Sequence, residues 1–225
     1  MVKTDNFNTY DMNNKEKRIS LEEIMGMERF YRQAFINTIS GFKSANLIGT
    51  INNEGVTNLA IFNSVIHIGA NPPYLGLILR PASVERHTYD NIKTTRHYSI
   101  NHVHHDFVKE AHQTSAKYPA DVSEFEACGF TPMYSNTLRT PYVQESSVKI
   151  GMEFLEEYPI QLNGTILIIG KIMEIILSES VLLESGHINL DDAGSVAVGG
   201  LDTYYSTELL SRLSYARPGE ELKNI

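Results

Sequence analysis

Asn63, Ser64, Arg80, Arg86, His87, Thr88 and Asn91 are gathered in one stretch, and together they have the chemistry to hold a phosphate monoester. Such a group carries close to two negative charges and takes hydroxyl donors, free backbone N–H groups and a guanidinium. Thr88 stands ahead of Tyr89-Asp90-Asn91-Ile92, where a helix N-cap belongs. Its hydroxyl, the helix N–H groups and the helix dipole would then point the same way. Arg86 or Arg80 would add positive charge. A plainer reading competes on helix statistics alone, in which Thr88 merely caps its helix and the arginines are solvated. Asn63 and Ser64 add a second oddity. They interrupt an apolar strand where Val or Ile would be usual, so they are either donors for a ligand or a bulge satisfying local backbone.

Other groups of reactive residues offer less. Ser115, Lys117 and Tyr118 close the run A-H-Q-T-S-A-K-Y-P, where a lysine also suits a plain helix C-terminus. His97, His102, His104, His105 and His112 lie close in sequence. Two helical metal ligands usually stand at i and i+4, whereas His105 and His112 are seven apart, and no nearby Cys or Glu completes a set. Surface and strand-end histidines are the expectation, with no metal site. Gly194-x-x-x-x-Gly199-Gly200 nearly spells a P-loop but lacks its lysine and Ser/Thr. No G-x-G-x-x-G follows a strand, so no Rossmann module is expected. There is no G-x-S-x-G, and Cys128 has no evident histidine partner, which leaves nucleophilic hydrolysis unsupported.

The elements that must position these residues are mostly strands. Ser20-x-x-Glu23 predicts a capping box and a helix that continues, broken near Gly26, to a stop at Gly41. Strands are expected at Ala45 to Ile51 and Val56 to Phe62, joined by the turn Asn52-Asn53-Glu54-Gly55. Pro72-Pro73 cannot lie inside a central strand and so opens the apolar run Tyr74 to Leu79, which Arg80-Pro81 ends. Tyr98 to His102 follows as a strand. Helices are expected from Phe107 to about Ala116, capped by Asp106, and from Val122 to Ala127. Pro141 to Glu153, Thr165 to Ile169 and Ile172 to Leu177 read as strands, with Gly170 marking a bulge. Ser185-Gly186-His187 is a turn, and Thr207 to Tyr215 a short helix. About seven strands against three or four helices, joined as hairpins, favour a closed barrel without exposed edges.

In this order the motifs resemble the flavin reductase-like family of FMN-binding split β-barrels, which includes flavoredoxin. The matching features are N-x-A-x-x-x-S on one strand, N-P-P opening the next, T-x-x-N-I, and a strand ending in Asn101. The resemblance spans roughly Ala34 to Tyr205 and reverses the balance between phosphate site and plain cap. It implies a mainly β split barrel with peripheral helices. It also implies a cofactor-binding set of Ala60, Asn63, Ser64, Arg80, Arg86, His87, Thr88, Asn91 and Asn101, with Ser115, Lys117 and Tyr118 approaching phosphate or ring. V-G-G-L-D-T-Y-Y resembles the family's late glycine segment near the flavin. The segment Ser146 to Glu153, S-S-V-K-I-G-M-E, departs from the family, which often has a cysteine beside a glutamate there. Nothing that depends on that cysteine carries over.

The function implied is an FMN-dependent oxidoreductase in which the flavin carries the hydride and no side chain need act as acid or base. NADPH or NADH would be a transient reductant, and a small molecule or redox partner the acceptor. Family members are usually homodimers. A flavoredoxin-like electron carrier without direct nicotinamide use is one alternative, and a split-barrel binding protein that is no enzyme is another. The length of 225 residues fits a polar arm over residues 1–20 and one domain over 21–225. The net charge of -8 opposes general nucleic-acid binding and makes any anion site depend on local positive groups. The single cysteine excludes an internal disulfide and suits a reducing cytoplasm. The first twenty residues are polar, so no secretory leader is expected, and no apolar run approaches the ~20 residues of a membrane span.

Overall fold

The spacing of Ser20 and Glu23 is realised as a capping box. Glu23 N–H donates to Ser20 Oγ at 3.1 Å, and Ser20 N–H donates to the Glu23 carboxylate at 2.7 Å. In the computed structural model, which describes residues 16–81 and 87–225, this box starts α1 (Leu21–Gly26). α2 (Arg29–Ile39) follows, capped by the Glu28 carboxylate. Neither helix has a buried residue.

The sheet comes next. β1 (Lys43–Ser44) leads into β2 (Asn46–Ile51), β3 (Thr57–Phe62), β4 (Val65–Ala70) and β5 (Pro73–Leu79). After α3 (His87–Thr95) come β6 (His97–His102), a 3-10 turn (His105–Phe107), α4 (Val108–Gln113) and α5 (Glu124–Ala127). β7 (Pro132–Met133), β8 (Tyr142–Val143), β9 (Val148–Ile160) and β10 (Thr165–Leu177) precede the short β11 (Ala197–Gly199) and β12 (Thr203–Tyr205). Seven strands form one sheet in the order β3-β2-β6-β9-β10-β5-β4. Each hydrogen-bonded pair in that sheet is antiparallel. β3 and β4, its two outer strands, are consecutive in sequence and meet at Asn63-Ser64, which is how the sheet curls back on itself.

The core lies inside that curl. Leu47, Leu59, Val103 and Phe125 belong to one buried cluster, and Ile48, Leu77, Ile92, Tyr98, Met152 and Ile168 to another. Each such fully buried aliphatic side chain contributes about 1.5–3 kcal/mol. Gly170 is the predicted bulge, with a register shift between Ile169 and Gly170. The Tyr98 side chain fills the space that this glycine leaves, and a Cβ at position 170 would overlap the Tyr98 hydroxyl.

Four local expectations need correction. Residues 207–215 form no helix, because the Asp191 carboxylate takes the Thr207 hydroxyl and the Leu209 N–H, both at 2.7 Å. Asp106 caps nothing, for its own N–H donates to the His104 ring at 3.2 Å inside the 3-10 turn. α4 therefore starts later than expected and stops at Gln113 as 3-10-type bonds tighten the chain, Ser115 N–H to the His112 carbonyl among them (3.0 Å). The stretch from Pro141 to Glu153 is two strands, of which β9 runs on to Ile160, and the two strands expected around Gly170 are one. Among the described residues no helix is long and apolar enough to cross a membrane.

Candidate functional site

α3 packs across β2 and β3, and a buried polar network is built where they meet. Asn58 on β3 donates to Thr88 Oγ1 on α3 at 3.0 Å and to Thr50 Oγ1 on β2 at 3.2 Å. Asn91, one turn along α3, donates to the same Thr50 oxygen at 3.1 Å. All four residues are buried. Thr88 is therefore the second residue of α3 and a strut to the sheet, not the N-cap that its sequence position suggests. In an apolar interior such a network is stable only when its members satisfy one another, so it fixes α3 on the sheet.

A cleft of about 140 Å³ opens beside this network, lined by Asn52, Thr57, Asn58, His87, Asp90 and Asn91 together with Val56, Ala120 and Val122. Asn amides, an imidazole and the first turn of α3 suit an anionic oxygen ligand. Asp90 works against one, so the anion end belongs toward His87 and the helix start. The volume takes a phosphate but falls short of the ~300 Å³ where whole-ligand pockets begin. Glu124 closes the outer edge of β3 by accepting the Leu59 N–H at 3.0 Å, and burial pushes its carboxyl above the usual range.

The structure distributes the remaining predicted residues. Asn63 is half-buried at the β3–β4 corner and donates to the Gly200 carbonyl at 2.8 Å, so the corner and the late glycine segment are in contact. Ser64 donates to the Ile78 carbonyl at 2.8 Å, a satisfied backbone role. Ala60 lies half-buried on β3, paired with Ile48. Asn101 is fully buried: its amide donates to Leu47 and Ser99, and its carbonyl accepts the Val143 N–H. All of it is spent inside the barrel, so it serves as a lock between strands and offers a ligand nothing. Arg80 is exposed at the end of β5, and Arg86 lies outside the described residues. Ser115 and Lys117 are exposed beyond α4, while the Tyr118 hydroxyl accepts from Gln113 at 3.1 Å and from the Cys128 thiol at 3.8 Å.

Thr50 and Asn58 are the members of the site that sequence reasoning gave no role. Asn58 is the first letter of the N-x-A motif, and that was their available signal. Of the histidines, His102 bonds Ser195 at 3.0 Å and is held neutral by burial, its pKa pushed down to about 4. His112 bonds the Tyr204 hydroxyl at 2.9 Å.

The flavin reductase like domain model matches residues 40–190, which is most of the chain. The chain belongs to the flavin reductase like domain family. Its fold is that family's split barrel. The crystal structure of a presumed flavin reductase with split barrel domain from Shewanella frigidimarina NCIMB 400 is 46% identical. It superposes with a TM-score of 0.87 over 89% of this chain and 100% of that one. Nitrilotriacetate monooxygenase component B from Bacillus cereus (20% identical, TM-score 0.77) covers 89% of this chain and 100% of its own. Flavoredoxin of Desulfovibrio vulgaris (Miyazaki F) (22%, TM-score 0.66) covers 76% and 90%. The last two likenesses establish the fold. Membership in the flavin reductase like family supports a flavin-related oxidoreductase in general.

Proposed function

We propose that the protein binds FMN and passes a hydride from NADPH or NADH through it to a small-molecule acceptor or redox partner. The observation that carries this reading is the Thr50–Asn58–Thr88–Asn91 network beside the cleft at the first turn of α3. Thr88 and His87 would hold the FMN phosphate there, with Arg86 or Arg80 adding charge. Asn63 and the Gly199-Gly200 turn would position the ring edge from the β3–β4 corner. Bound FMN would supply the hydride chemistry at its N5 position. The chain itself binds, orients and shields.

The cleft is too small for a whole flavin, which supports a site completed by a second copy. Phe30, Tyr31, Ile39 and Phe42 are 70, 63, 62 and 69% exposed on and beside α2. A helix of that length is marginal without a packed face, so a two-fold homodimer is part of the proposal.

The test is the visible spectrum of purified protein reconstituted with FMN, before and after anaerobic NADPH or NADH. Saturable flavin binding with bleaching by either nicotinamide supports the full reading. Binding without bleaching favours an electron carrier of the flavoredoxin kind, and no saturable binding overturns the flavin assignment. Light scattering giving twice the monomer mass supports the dimer, and a stable monomer with flavin bound overturns it.

A further inference from the structure

We propose that His104, His105 and Asp106 form a site for one divalent transition-metal ion, with Zn²⁺ as the test ion. The three side chains follow β6 in the 3-10 turn, and each offers a ligand atom within 4.8 Å of the other two. His104 Nδ1 stands 3.4 Å from one Asp106 carboxylate oxygen, and His105 Nε2 stands 3.3 Å from the other. Tetrahedral ligands at the usual zinc bond lengths of about 2.0–2.2 Å are separated by roughly 3.4 Å. Each imidazole thus stands near that spacing from the carboxylate, and small side-chain rotations within the 4.8 Å cluster would bring all three donors onto one ion.

The chemistry of the set agrees with that spacing. Two imidazoles and a carboxylate suit zinc, nickel or copper better than calcium or magnesium, which take oxygen ligands. The two imidazole rings are stacked at a tilt of 30°, centroids 4.0 Å apart, so one must turn for both nitrogens to face the same ion. The competing bond is modest, a single Asp106 N–H donated to His104 Nδ1 at 3.2 Å.

The turn is also held in place from behind. His105 N–H donates to the Gly194 carbonyl at 3.0 Å, and His104 forms an antiparallel bridge with Ser195. Gly194 has a φ of +64°, and any side chain there would overlap the His104 ring. The glycine thus lets His104 seat against the backbone with its Nδ1 turned toward Asp106. Asp106 and His105 keep 76 and 55% of their side chains exposed, so an ion can enter from solvent and keep open coordination positions. None of the three residues lines the cleft at α3 where the phosphate is proposed to sit.

The experiment uses the full chain without an affinity tag, stripped with chelator and then titrated with Zn²⁺ by equilibrium dialysis and calorimetry. The expected result is one zinc per chain. His105→Ala and Asp106→Ala should each weaken binding by at least about tenfold, while His112→Ala leaves it unchanged. These exposed side chains can be removed without disturbing the core, and thermal melts check that both variants fold. Bound zinc should also raise the wild-type melting temperature, and the rise should vanish in His105→Ala. Zinc binding of equal affinity in wild type, His105→Ala and Asp106→Ala would overturn the site, as would no saturable binding below about 1 mM zinc.

Discussion

The Asn63 amide donates a 2.8 Å hydrogen bond to the Gly200 carbonyl, across 137 positions of sequence. This bond ties the corner where β3 passes into β4 to the glycine turn between β11 and β12. The two polar residues at that corner thereby have structural partners, since Ser64 is likewise bonded to Ile78. A ligand at the corner would meet a surface whose shape both segments set together.

Asn63→Leu keeps similar bulk and removes the donor. Losing one such bond and leaving the Gly200 carbonyl unpaired should lower stability by about 1 kcal/mol. FMN affinity should fall with it, because the glycine turn loses its tether. Urea unfolding and flavin titration measure the two effects. If both curves overlay the wild type, the bond does not hold the turn.

Thr88→Val removes a hydroxyl from the α3 network and from the proposed phosphate site. It leaves one Asn58 amide N–H unpaired while the other still donates to Thr50, which should cost about 1–2 kcal/mol of stability. Charge-assisted hydrogen bonds are worth about 1.5–3 kcal/mol, so FMN affinity should drop at least tenfold. A folded Thr88→Val variant with wild-type affinity would move the phosphate elsewhere.

Gly170→Ala should be among the more damaging single-methyl changes in the barrel. Its Cβ would overlap the Tyr98 hydroxyl, and overpacking of this kind costs about 1–3 kcal/mol. That hydroxyl is buried with no hydrogen-bond partner among the described residues. Tyr98→Phe should therefore leave stability equal or higher, and should recover part of the loss in the double variant. Denaturant midpoints of the four proteins measure this coupling, and strictly additive losses would refute it.

Glu124→Gln tests the edge of β3. Burial raises the Glu124 carboxyl above its ordinary value of 4.5, with the Leu59 N–H bond pulling the other way. The folded chain thus takes up this proton more readily than the unfolded one. The associated stability is present below the unfolded pKa and lost as pH rises through the folded value. At pH 7 the glutamine variant, which can still accept the Leu59 N–H, should be as stable as wild type or more so. Wild type should gain on it as the pH falls toward 4.5. Parallel stability curves across that window would mean that the carboxyl titrates alike in both states.

Elements whose cause is local are legible in the chain. The capping box at Ser20, the strand opened by Pro73, the interruption at Asn63-Ser64 and the bulge at Gly170 each follow from one residue's backbone limits or hydrogen-bonding groups. The ordered motifs from Asn58 to Asn101 were enough to place the chain in its family. Which polar residues are spent depends on partners that long-range packing brings near. Asn101 and Ser64 look like ligand donors in a strand pattern, yet each is consumed by a backbone group more than ten positions away. Thr50 reads as one more strand threonine until β2, β3 and α3 converge on it. Residues 207–215 favour a helix until Asp191 takes their donors. Helical spacing does not pair these histidines, whereas the 3-10 turn brings His104, His105 and Asp106 together, with the His104 ring against Gly194. In each case a long-range partner competes with the local preference, and a sequence does not state which partner is near.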